Sequence, residues 1–352
     1  MMADTKTEKR TSIGGQALIE GVMMRGPHKT AMAVRDPAGQ IVLEQWDNPV
    51  NKRPAWTKWP FVRGLFNFYD SMRYGYKCLM RSAELSGLDD EDDGKAKKAD
   101  ERKAETAEAA DEQGAASAEM ADAAQEPERV HKTDGKQSTK STERSMTAVM
   151  IAATVLGVGL ALILFMWLPI QLFSWLAKAV PELDHRYIRG VFEGVLRIVI
   201  FLAYMLAVSR MKDIRRTFQY HGAEHKTIFC YEKGLPLTVE NVRPQRRFHP
   251  RCGTSFLILM LIVGILISIL IPIETPLLRT VVKLLLLPLT VGIGYELIKL
   301  AGRKDNAFTR IISAPGMWMQ HITTIEPDDG MIECAIASLK AVIPNDPEDD
   351  RW

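Results

Sequence analysis

Apolar positions gather into four long runs, at roughly residues 147–173, 187–209, 255–273 and 280–300. Each is about the 20 residues that an α-helix needs to cross a bilayer. The first run carries no charge, the second includes Glu193 and Arg197, and the fourth holds Lys283, Glu296 and Lys299. Elsewhere the pattern changes period. Residues 30–35 and 41–46 read as strands, and Asp36-Pro37-Ala38-Gly39 between them reads as a turn, which predicts a hairpin. Too few strands are visible for this β unit to stand alone, so it should dock on another element. In residues 59–85 the apolar positions Phe61, Leu65, Phe68, Met72, Tyr76, Leu79 and Ala83 recur at helical spacing, interrupted by Arg63, Arg73, Lys77 and Arg81. That pattern fits an amphipathic helix at the cytoplasmic lipid surface, or a helix packed on the β unit.

Residues 89–145 contain no Leu, Ile, Phe, Tyr or Trp. Such a segment buries too little apolar surface to offset the entropy of ordering, so it reads as a disordered insert. The expected fold is an α-helical multi-pass membrane protein of about four transmembrane helices, with a small cytoplasmic N-terminal unit containing a β-hairpin. The expected divisions are a β unit at 1–58, a surface helix at 59–85, the acidic insert at 86–145 and a membrane domain at 146–300. The membrane domain carries a cytoplasmic His-containing loop at 210–254, and a C-terminal helical segment follows at 301–352.

The overall charge is nearly balanced, 45 basic against 43 acidic residues, but the balance hides segregation. Arg210, Lys212, Arg215, Arg216, Lys226, Lys233, Arg243, Arg246, Arg247 and Arg251 follow the second apolar run, whereas the connection between the third and fourth has Arg279 beside Glu274. By the positive-inside rule the basic segment is cytoplasmic, and an even number of spans then places both termini there. The polar residues before position 12 suggest no cleavable signal. Cys78, Cys230, Cys252 and Cys334 are scattered and form no disulfide framework. No P-loop and no nucleic-acid module is present, so nucleic acid is not an expected partner, whereas membrane lipid is. A homo-oligomer is compatible with the sequence.

The chemistry concentrates in Tyr220-His221-Gly222-Ala223-Glu224-His225-Lys226. The residues Ile214, Phe218, His221, His225, Ile228 and Glu232 step along one helical seam, which puts both imidazoles on one face, a turn apart. Two imidazoles so placed suit a divalent metal such as zinc, and the spacing H-x-x-E-H is that of the inverted metallohydrolase motif. Glu224 is then the candidate general base. Catalytic zinc usually has three protein ligands, so a third is expected from His249, Cys252, Glu240 or Glu326, with His249 and Cys252 favoured because a short tethered loop carries them. Glu326 precedes Pro327 and has an alternative reading at a helix start. Gly222 costs about 1 kcal/mol in a helix relative to Ala, so close packing or a ligand should offset it.

Several stretches together carry a family resemblance. They are Gly14-Gly15-Gln16-Ala17-Leu18-Ile19-Glu20-Gly21-Val22-Met23-Met24-Arg25-Gly26-Pro27, Tyr220 to His225, His249 to Ser255, and Thr323 to Asp329. With these the chain resembles the YqhQ-like bacterial membrane proteins, a family of unknown function often labelled a predicted metal-dependent enzyme. The acidic insert departs from that resemblance. The resemblance implies a bacterial cytoplasmic (inner) membrane location. It also implies that Gln16, Glu20, Arg25, His221, Glu224, His225, His249, Arg251, Cys252, Glu326 and Asp328 belong to the family's pattern, without assigning their roles. Two functions follow as alternatives: a metal-dependent, hydrolase-like enzyme at the cytoplasmic membrane face, or a non-catalytic scaffold, regulator or small transporter built on the ionisable residues of the spans.

Overall fold

A four-stranded antiparallel sheet is the first element among the described residues. The computed structural model describes residues 11–48, 53–87, 152, 154–183, 185–273, 275–303, 306–346 and 348–350. The strands β1 (Gly14–Leu18), β2 (Gly21–Arg25), β3 (Lys29–Arg35) and β4 (Ile41–Asp47) lie in the order β1-β2-β3-β4. The expected hairpin is β3–β4. A second hairpin, β1–β2, precedes it, and its alternation is hidden because Val22, Met23 and Met24 are buried on both faces of the sheet. Glu20 makes its turn in the left-handed region at φ 50°.

Strand alternation divides the side chains cleanly. Val22, Met24, Ala31 and Ala33 face one way, into a core with Tyr220, Ala223, Met331, Ile332, Ala335 and Leu339. Leu18, Met23 and Met32 face the other way, against Cys78 and Leu79. The first face is covered by α4 (Lys212–Glu232) and α10 (Asp329–Val342), and the second by α1 (Val62–Leu85). The β unit therefore docks on helices from three distant parts of the sequence. Arg63 of α1 also reaches α8 (Leu287–Arg303), with its Nε 2.7 Å from Glu296 Oε1. The outer face of α1 leaves Leu65, Tyr69, Met72 and Tyr76 exposed.

Helices α2 (Leu168–Ala179), α3 (Arg186–Val208), α6 (Gly253–Leu270) and α7 (Pro276–Leu285) complete the apolar part, together with α8. Three helical stretches are long and apolar enough to cross a membrane: Thr154–Ala179, Tyr187–Val208 and Gly253–Leu270. A fourth is the pair Leu277–Leu285 and Leu287–Ala301, which is bent by 46°. Pro288 explains the bend, since it has no N–H to donate and its ring crowds the carbonyl four residues earlier. Helices α3 and α6 approach closely through Gly190 and Gly194. A Cβ on either would lie 2.5–2.6 Å from Ile265 or Ile269.

The chain divides into two compact units, Met1–Leu88 with Trp167–Trp352, and Asp89–Met166. The second contributes helix from residue 154 to 166 among the described residues. The expected disordered insert lies outside the described residues. The short helix α5 (Val239–Val242) and the helix α9 (Ala307–Thr323) bring the remaining polar segments to the site.

Candidate metal centre

Helix α4 builds the centre. Its buried residues run from Tyr220 to Ile228, so the whole middle of the helix is enclosed. Gly222 permits this. A Cβ there would run into the carbonyl oxygen of Ile325, and Ile325 N–H donates to Phe218 O at 2.9 Å. The chain after α9 is thus laid directly on α4, and close backbone packing offsets the helix penalty of glycine.

That close approach positions the first imidazole. Nδ1 of His221 is 2.8 Å from Thr323 O. Nδ1 of His225 is held in the same way by Arg247 O. A carbonyl only accepts, so each ring carries its hydrogen on Nδ1 and leaves Nε2 with a free lone pair. Nε2 of His221 is 3.1 Å from Cys252 Sγ. Nε2 of His225 is buried and has no hydrogen-bond partner. The two rings lie 4.4 Å apart, edge on. One donor atom from each of His221, His225 and Cys252 falls within 4.8 Å of the others, and all three residues are buried. Ligands at roughly 2.0–2.3 Å around a tetrahedral ion stand about 3.4 Å from one another. The group could hold a metal ion, which its donor chemistry and the orphaned Nε2 both suit.

Cys252 is the N-cap of α6, where its Sγ accepts from Thr254 N–H at 3.4 Å. Burial pushes the thiol up, but the His221 and His225 imidazoles outweigh it and hold Cys252 well below the usual thiol range. Reciprocally, burial pulls His221 down, yet the Cys252 sulfur, Glu224 and the Thr323 carbonyl raise it to about 9. Glu224 is buried beside them. Burial raises its carboxyl above the usual range, while His225, His221 and the Gly15 N–H oppose that rise.

In sequence the chain matches the family described as "Protein of unknown function (DUF1385)" over residues 59–345. It is 32% identical over 334 residues to the Uncharacterized protein YqhQ of Bacillus subtilis (strain 168), covering 94% of this chain and 92% of that protein. The chain belongs to this family. No solved structure matches it.

The structure distributes the other candidates around the centre. His249 stays outside the His–His–Cys group, with its Nε2 3.6 Å from Glu232 Oε2. Burial foremost, with His225 and Arg251 adding to it, lowers His249 against the opposing pull of Glu232. Arg251 pairs with Glu232 and donates to Thr11 O at 2.8 Å. Glu240 is exposed in the first turn of α5, and Glu326 pairs with Lys226 and Arg247, so neither carboxylate joins the group. Physically, both are drawn away because solvent and lysine or arginine partners offer a carboxylate more than an apolar cleft does. Asp328 is the N-cap of α10, accepting from Met331 N–H at 2.8 Å. Glu20 is clamped by Arg216 and accepts from the Tyr220 hydroxyl at 3.2 Å, which ties the β1–β2 turn to α4. Gln16 and Arg25 lie on the opposite face of the sheet, toward α1.

Three contributors were not evident in the sequence. Glu232 holds His249 and Arg251. The Thr323 carbonyl orients His221. Gln320 fixes the His249 backbone, accepting its N–H at 2.7 Å and donating to its carbonyl at 2.8 Å. A fully buried glutamine on the apolar helix α9 was the one available signal.

Proposed function

We propose that the chain is a multi-pass membrane protein whose His221–His225–Cys252 centre holds a zinc-type ion for hydrolysis at the cytoplasmic membrane face. The observation that carries this reading is the pair of imidazoles locked by backbone carbonyls through Nδ1, so that both Nε2 atoms converge on a thiolate. Structural zinc sites usually close with a fourth protein ligand, whereas catalytic ones keep three and an open position. A bound ion would supply Lewis acidity to a substrate oxygen and to water. Glu224, adjacent and buried, has a carboxyl raised by burial, the direction that suits a proton acceptor and donor. Cys252 caps α6, a helix long and apolar enough to cross a membrane, and this supports a substrate met at the membrane surface.

The test is metal content. Protein purified in detergent without added chelator should carry about one transition-metal ion per chain by plasma mass spectrometry. His221→Ala/His225→Ala and Cys252→Ala should each lose it. Metal-free wild type that fails to take up Zn²⁺ would end the proposal.

A second reading has its own observation. Glu193 is fully buried, 2.5 Å from Lys283 Nζ and 3.5 Å from both Arg279 Nε and Arg197 Nη2. Ionisable groups between apolar helices are costly and often functional, which suits a transporter or regulator. Arg279 also donates to Ser268 O and Ile273 O at 3.1 and 3.0 Å, closing the end of α6, so much of this cluster has a structural task. Full metal occupancy with unchanged properties after Lys283→Met would favour the enzyme; metal-free protein sensitive to Lys283→Met would favour this reading.

A further inference from the structure

A cavity of about 410 Å³ opens between the β1–β2 hairpin and α1, bounded by Gly15, Gln16, Met23, Arg25, Ser71 and Tyr74 among others. Three of its polar side chains, Gln16, Arg25 and Ser71, have no hydrogen bond or ion pair among the described residues. The guanidinium of Arg25 lies over the Tyr74 ring, with Cζ 5.1 Å from the ring centroid. Stacking of this kind fixes the guanidinium plane and leaves its fork of N–H donors free. Room for the fork exists because the cross-strand neighbour of Arg25 is Gly14, which has no side chain. Among the described residues, Arg25 is the sole charged one lining the cavity.

We infer that this cavity binds a small molecule carrying an oxyanion, a phosphate or a carboxylate, with Arg25 as its anchor. Guanidinium forks match the two oxygens of such a group, and Gln16 and Ser71 supply further donors. Among the described residues no carboxylate lines the wall to compete for Arg25. The volume exceeds that of a bare phosphate and falls in the range of small-molecule sites, so Met23 and Tyr74 are available to the ligand's apolar body.

Gly15 connects the cavity to the centre on the other side of the sheet. It lines the cavity, and on its other side it abuts Glu224. A Cβ on Gly15 would lie 2.8 Å from Glu224 Cγ, so only a side-chain-free stretch of β1 stands between them. Gly15 is therefore a wall that the cavity and the Glu224 site share, and the binding does not rest on the proposed function.

The experiment is equilibrium dialysis of the full chain in neutral detergent with phenyl phosphate and with benzoate. A parallel arm measures phosphatidic acid retained from mixed phosphatidylcholine micelles. At least one probe should bind, and Arg25→Gln should weaken it about tenfold or more, the cost of one charge-assisted contact. Arg25→Lys, which keeps the charge and loses the fork, should fall between. The melting temperatures of both variants report their folding. Binding of a soluble probe identifies a soluble ligand, and retention of phosphatidic acid alone identifies a lipid headgroup; either supports the site. No binding by wild type, or equal binding by a folded Arg25 variant, overturns it. His221→Ala/His225→Ala should lose metal and keep probe binding. Loss of both would mean that the anion sits on the metal, and the cavity assignment would fall.

Discussion

His225 shows how much one atom decides. Its ring is 1% exposed, Nδ1 is spent on a carbonyl, and Nε2 has no partner. A buried acceptor left empty costs about 1–3 kcal/mol, so an ion at Nε2 relieves a cost already present. Glu224→Gln should therefore retain the metal and lose any metal-dependent hydrolysis, whereas His225→Ala should lose both; equal metal loss in the two variants would make Glu224 a ligand. The thiols give an independent check. Burial pushes Cys78 and Cys334 up to about 11 and raises Cys230, while Cys252 is low. After chelation, iodoacetamide should modify Cys252 ahead of the other three, and added Zn²⁺ should protect it, as read by peptide mass spectrometry. Glu232 sets an acid limit. Burial alone would raise its carboxyl, but His249, Arg251 and the Thr11 N–H hold it below the ordinary value of 4.5. A carboxylate depressed on folding contributes stability that is complete above its unfolded pKa and is lost as pH falls through the folded one. Wild-type stability should fall below about pH 4.5, and Glu232→Gln should flatten that acid limb in pH-dependent melting.

At the level of elements, α4 is held from outside rather than by its own propensity. The segment after α9 lies on Gly222, the turn of β1–β2 is clamped by Arg216, and Lys226 donates to Arg243 O at 2.7 Å. Gly222→Ala is favourable for an isolated helix by about 1 kcal/mol. Here the added methyl must displace the Ile325 carbonyl, an overpacking cost of about 1–3 kcal/mol or more. The same displacement moves Thr323 away from His221. The variant should melt lower and bind Zn²⁺ more weakly, and a Gly222→Ala protein as stable as wild type would show that the crossing segment is not tightly seated.

For the whole molecule, the membrane reading yields a topology. The basic excess after the second span predicts that the centre faces the cytoplasm. Membrane-impermeant maleimide applied to intact cells should reach Thr275→Cys, between α6 and α7, and miss Cys252 until the cells are opened. Labelling of Cys252 from outside would invert the protein. Residues 89–145 lack large apolar side chains. Removing about 40 of them should leave accumulation and melting temperature nearly unchanged, because the closure entropy of a long loop varies only slowly with its length.

Periodicity alone made the helices legible, since burial of one face imposes a repeat whatever the partner is. The four apolar runs, the β3–β4 hairpin, the 59–85 helix and the His221–His225 seam all follow from local spacing. The partner of that seam did not. His249, Cys252, Glu240 and Glu326 were equal in kind as donors, and Cys252 lies 27 residues beyond His225. Only the return of residues 247–252 to α4, with Arg247 and Thr323 offering carbonyls to the two rings, brings Cys252 in and leaves His249 with Glu232. The β1–β2 hairpin escaped for a related reason. A strand buried on both faces loses its alternation, and which faces are buried is settled by α1, α4 and α10 from elsewhere in the chain. Sequence by itself determined which residue types and local periods this protein has; tertiary structure decided which of them meet, because contacts across long separations depend on how whole faces pack and leave no period in the chain.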